Sequence, residues 1–109
     1  MEEQKLTTQT QALVLKHMQL PAEELLGDKT AFENLEALKE QLSKLISRLL
    51  DHDFGRLMNA MYRIDIKEHD FKEAMSLPTG KDIADRIATL IVERELQKVK
   101  FRMQYSSGE

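Results

Sequence analysis

Cysteine is absent from the 109 residues, which removes disulfides, thiolate nucleophiles and Cys-ligated zinc or iron–sulfur centres at once. Two prolines and four glycines are too few for the turns of an all-β fold. Tryptophan is missing, and with four Phe and two Tyr the core has to be built mainly from Leu, Ile, Met and Ala. No run approaches 18 apolar residues, so no membrane span is expected. The first residues, MEEQKLTTQTQ, have no apolar h-region and do not read as a secretory signal. Neither sign of charge dominates: 16 basic residues against 19 acidic ones give a net charge of -3. That balance provides no strong field towards nucleic acid or an anionic membrane. The expected setting is the cytoplasm, and no cofactor is expected.

What is present is helical patterning. Hydrophobic residues make up 41% and charged ones 32%, a mixture suited to a helical bundle with charged outer faces. At this length a single domain with one core is expected. The longest signal is Gly80 to Tyr105, free of proline and of further glycine, and it predicts one helix of about 25 residues. Thr79 is its expected cap, after the breaker Leu77-Pro78. Upstream, Thr30-Ala-Phe-Glu33 has the spacing of a capping box and predicts a second long helix from Thr30 to about Leu50. Along it, Leu35, Leu38, Leu42, Leu45 and Leu49 follow at 3-4 spacing, a two-heptad seam that suits a bundle core better than a free coiled coil.

Between the long helices, Asp53 is a candidate N-cap for a helix with Phe54, Leu57, Met58, Met61 and Ile64 on its buried side. Asp65-Ile-Lys-Glu68 has capping spacing and predicts a restart at Asp65. The first 11 residues are polar and without periodicity, and are expected to be loose. ALVLKHMQL, residues 12–20, is short enough to be helical or extended, and Pro21-AEELL-Gly27 reads as a short helix closed by glycine. The expected organisation is an N-terminal arm at 1–29, partly disordered, a bundle at 30–105 and a disordered tail at 106–109. The fold class is all-α: a small antiparallel bundle of two long and two or three short helices.

Several motifs invite chemistry. Thr79-Gly80-Lys81 lacks the phosphate loop's earlier glycine, since position 75 is Met75, and Asp82 follows where a hydroxyl should meet magnesium. Asp53-Phe54-Gly55 spells a kinase motif in a chain with no room for a kinase. Of the histidines, His17 has no acid within four residues of it, and His52 stands between Asp51 and Asp53 in a turn. Asp65, His69 and Glu73, at i, i+4 and i+8, are a candidate metal or acid–base face on one helix. The di-iron pattern Glu-x-x-His does not occur: Val14, Leu49 and Ile66 stand three before the histidines. No serine sits in a glycine-flanked elbow.

The basic stripe Arg94, Lys98 and Arg102 is a candidate phosphate-binding row, although Glu93 and Glu95 dilute it and no aromatic is read as interleaved. The apolar pattern of the last helix also changes direction. Ile83, Ala84, Ile87, Ala88, Leu90 and Ile91 cluster on one side, whereas Val92, Leu96, Val99 and Met103 cluster roughly 120° away. The second set packs either on another part of the same chain or on a second copy or protein partner.

Met61-Tyr62-Arg63-Ile64-Asp65-Ile66, followed by Ile83-Ala84 and the run Leu90 to Lys98, resembles a group of small uncharacterised bacterial all-helical proteins. In that group a YRID segment precedes a final helix reading roughly IA..I.ER..QK, and the likeness covers about half the chain. The resemblance implies an all-helical domain in a cytosolic setting and transfers no catalytic residue or ligand. Within the segment, Arg94 is expected to pair with an acid of the turn after Ile64. The favoured function is a non-enzymatic interaction module, self-associating as a homodimer or binding a protein through Val92, Leu96, Val99 and Met103. A metal-dependent site at Asp65, His69 and Glu73 and nucleic-acid binding by the basic stripe rank behind it.

Overall fold

The last helix, α6 (Gly80–Ser107), is the spine on which the other elements are laid. The computed structural model describes residues 2–107 and, among them, six helices and no strand. Before α6 come α1 (Glu2–Met18), α2 (Ala22–Leu26), α3 (Leu35–His52), α4 (Phe54–Ile64) and α5 (Glu68–Met75). At 1.5 Å per residue the 28 residues of α6 span about 42 Å, which matches the molecule's longest dimension of 44 Å. Helices α3, α1, α5 and α4 all pack on α6, and α2 lies on α3. The all-α class is as the composition implies.

Local signals set most of the boundaries. Thr79 caps α6, its Oγ1 accepting from the amide of Asp82 at 3.0 Å. Asp53 caps α4 by accepting from the amide of Arg56 at 3.2 Å. The Leu38, Leu42, Leu45 and Ile46 side of α3 is buried, with Leu35, Leu49 and Leu50 partly buried around it. Each fully buried leucine contributes on the order of 1.5–3 kcal/mol through apolar area removed from water.

Three expectations are corrected. Helix α3 starts at Leu35 and not at Thr30, because Phe32 is drawn into the core and its backbone is engaged by α1. Its amide donates to Gln11 Oε1 at 3.1 Å and its carbonyl accepts from Gln4 Nε2 at 3.4 Å. Asn34 caps the helix instead, accepting from the amide of Ala37 at 2.9 Å. Asn34→Ala is therefore expected to cost about 1 kcal/mol in urea denaturation, and Thr30→Ala much less.

The second correction concerns Asp65, which starts no helix. It ends α4 in the left-handed region (φ 68°), where the amide of Ile66 bonds the carbonyl of Met61 and that of Asp65 bonds Tyr62. This is a Schellman closure with aspartate at the usual glycine position. Helix α5 begins three residues later, with Lys67 at the cap position and no side-chain cap bond.

The third is the N-terminus. Residues expected to be loose belong to a 17-residue helix, and the 12–20 run is helical to Met18. Gln19 (φ 56°) then closes α1, with Leu20 bonding back to Leu15. The pattern was illegible because α1 buries polar residues: Thr7, Thr10 and Gln11 are as enclosed as Leu13, Val14 and Met18. Three helices are thus long. Of the tail expected at 106–109, residues 106 and 107 continue α6, and 108 and 109 lie outside the described residues, as does Met1.

Candidate functional site

The buried side of α6 is one stripe. Ala84, Ile87, Ala88, Ile91, Val92, Glu95 and Val99 are all buried. At 100° per residue they fall within roughly 140° of the helix wheel, with Glu95 near the middle. The change of direction expected from the apolar residues comes from the half-buried residues on the two edges of that stripe, Ile83 and Leu90 on one and Leu96 and Met103 on the other. Val92 and Val99, expected at an interface, are 0% and 1% exposed within the chain itself and offer nothing to a partner. Leu96 and Met103 are half-buried.

A fully buried carboxylate is costly unless it is paired. Glu95 has two partners: Oε2 is hydrogen-bonded to His17 Nδ1 of α1, and Oε1 lies 3.0 Å from Lys98 Nζ. The Lys98 contact is an ion pair without hydrogen-bonding geometry, and the same ammonium donates to the carbonyl of Ile64 at 2.8 Å. Arg63 Nε donates to the carbonyl of His17 at 2.6 Å, and Arg56 to that of Gln19 at 2.9 Å. Helices α1, α4 and α6 are therefore joined at one polar node. Arg56 and Arg63, seven residues apart on α4, thus both hold the C-terminal end of α1. A carboxylate on Nδ1 fixes the imidazole's orientation, as orienting carboxylates do in catalytic and metal sites. Here the ring is 20% exposed, and its recorded partner is Glu95.

The other histidine constellation is not assembled. His69 Nε2 pairs with Glu73 Oε2 at 3.4 Å on the open surface of α5. Asp65, outside that helix, turns to α6, where Arg94 Nη2 meets its Oδ2 at 3.2 Å and Arg94 Nε its carbonyl at 3.3 Å. The expected pairing of Arg94 with the turn after Ile64 is thus present. Among the described residues no group of three or more His, Asp or Glu side chains is placed to share a metal ion. His52 is exposed at the end of α3.

The basic stripe is similarly divided. Arg94 is held by Asp65 and by Gln97 Oε1 at 2.9 Å, and Lys98 by Glu95 and Ile64, while Arg102 is exposed. Aromatics do interleave with it: Phe101 and Tyr105 share that side, 60% and 70% exposed, with ring centroids 4.9 Å apart. Their i, i+4 spacing is the signal that the sequence carries for this pair.

Beside them lies a groove of about 620 Å³ between the α4–α5 turn and the outer side of α6. Ile66, Leu90 and Leu96 supply its apolar lining, and Asp65, Lys67, Asp70, Glu93, Arg94 and Lys100 its charged rim. Arg94 and Gln97 also line the hollow that contains Phe101, so groove and aromatic pair form one continuous surface. A second groove, between α3 and α6, holds Ser43, whose Oγ donates to Asp85 Oδ1 at 2.5 Å, and Lys81, 2.8 Å from Asp85 Oδ2. These two donors, Lys81 first, hold the Asp85 carboxyl below its ordinary range. The associated stabilisation is present above that range and is lost as pH falls through the lowered value. With Asp85 half exposed, solvent screening keeps it small.

No protein-family model matches the chain, and no curated protein or solved structure is similar to it. No helix among the described residues is long and apolar enough to cross a membrane.

Proposed function

We propose that this chain is a non-enzymatic, cytoplasmic helical interaction module whose docking surface is the outer side of α6, from Leu90 to Tyr105. The observation that carries the reading is the Phe101–Tyr105 pair, 60% and 70% exposed and continuous with the groove over Leu90 and Leu96. Large aromatics left open beside an apolar groove with a polar rim have the anatomy of a protein interface. The surface differs from the one expected from sequence: Leu96 stays, whereas Val92 and Val99 give way to Phe101 and Tyr105. A nucleic-acid reading draws less support, because two of the three cations in its stripe already have carboxylate partners.

The test is site-specific photocrosslinking in cells, with a photoreactive side chain at Gln97 or Phe101 and a control at Lys44 in the separate groove between α3 and α6. Adducts from the α6 positions and none from Lys44 are expected. Equal adducts from all three, or none from α6, would remove the reading.

A further inference from the structure

We infer that the partner of this surface is a second copy of the chain, the two α6 helices crossing antiparallel near Gln97 so that each Phe101–Tyr105 pair enters the other's groove. This rests on the docking role of the outer side of α6 and names its occupant.

The rim carries three carboxylates, Asp65, Asp70 and Glu93, against three cations, Lys67, Arg94 and Lys100. A strongly acidic or basic partner would meet as much repulsion as attraction there. A surface with the same charges in reverse order would not, and a two-fold axis supplies that reversal. Glu93 lies four residues before Gln97 and Lys100 three after it, so the crossing brings each copy's Glu93 against the other's Lys100, twice. Both side chains are exposed.

The same register places the aromatics. Phe101, four residues past Gln97, falls level with Glu93 and Arg94 of the facing helix, and Tyr105, eight past it, falls level with Thr89 and Leu90. Phe101 thereby meets the Arg94 guanidinium, which Asp65 and Gln97 already hold in place, in a cation–π contact. Tyr105 meets the apolar lining. Aromatic side chains present about 150–250 Å² each, of which 60% and 70% is still open here, so four rings supply about a third of the ~1,200–2,000 Å² that a stable interface buries. The remainder falls to the groove that receives them, over Ile66, Leu90 and Leu96, and to its charged rim.

The test is molar mass by light scattering across a hundredfold range of concentration, on full-length wild type, Glu93→Lys, Lys100→Glu and an equimolar mixture of the two variants. Wild type is expected to pass from monomer to dimer. Each variant alone sets like charges face to face and is expected to stay monomeric at concentrations where wild type is dimeric. The mixture restores both pairs and the dimer with them. Both substitutions are on the surface, so far-ultraviolet circular dichroism is expected to be unchanged. A monomeric wild type, variants that dimerise as well as wild type, or a mixture that stays monomeric each overturns the proposal. Photoadducts from Gln97 separate the two ideas: adducts to a different protein leave the interaction module standing without self-docking, and no adducts remove both.

Discussion

Val99→Glu is expected to unfold the chain at room temperature, whereas Leu96→Glu, three residues away, leaves it folded. Val99 is 1% exposed on the buried stripe of α6, and a carboxylate there would have no partner placed for it. An uncompensated buried charge costs several kcal/mol, comparable with the ~5–15 kcal/mol that holds a domain of this size. Leu96 is only half-buried and lies at the groove, where a carboxylate remains hydrated. Circular dichroism and urea denaturation read the difference. A Val99→Glu variant as well folded as Leu96→Glu would return Val99 to an interface and restore the apolar face expected from the leucine, valine and methionine spacing.

The second large effect is an asymmetry across the polar node. His17→Ala removes the α1 partner of a fully buried carboxylate and is expected to destabilise the chain by about 3 kcal/mol, the low end for a broken buried pair because Lys98 remains. For a domain of this size that lowers Tm by roughly 10–20 °C. Glu95→Leu removes the buried charge itself and extends the apolar stripe. It leaves His17 at the protein edge and Lys98 bonded to the carbonyl of Ile64, so it is expected to be neutral or stabilising by about 1 kcal/mol. If Glu95→Leu proved as costly as His17→Ala, the carboxylate would be contributing net stability, and the stripe would need it for more than tolerance.

Glu95 also marks where sequence reasoning stopped. Most of the helices were legible because their signals are local: the Thr79 and Asp53 caps, the 3-4 leucine spacing of α3, and the unbroken length of α6. A buried glutamate breaks the one rule on which apolar periodicity depends. Without it the middle of the stripe is thin, and the half-buried Leu96 and Met103 on one edge, opposite Ile83 and Leu90 on the other, read as a second face that takes Val92 and Val99 with it. The cause of that burial lies 78 residues away, at His17, and no local pattern holds that information. Helix α1 was missed for the same reason, since Thr7, Thr10 and Gln11 are buried without being apolar. The start of α3 was set by a tertiary contact, Gln11 on the backbone of Phe32, which outweighed a good capping box. By contrast, the pairing of Arg94 with the turn after Ile64 is readable because an acid stands in the turn and an unmatched arginine on the helix that packs over it. The Phe101–Tyr105 pair is legible at i, i+4, but aliphatic periodicity gives aromatics at the end of a helix no weight of their own.

The most direct test of the account uses the absence of cysteine. Single cysteines placed at positions 92, 97, 99, 101 and 105 of α6 can each be labelled with a thiol reagent, in dilute and in concentrated solution. The account predicts protection at 92 and 99 at every concentration, rapid labelling at 97, 101 and 105 when dilute, and slowing at those three as concentration rises. Labelling at 99 as fast as at 101 would contradict the single buried stripe, and rates at 97 and 101 that ignore concentration would contradict docking between copies.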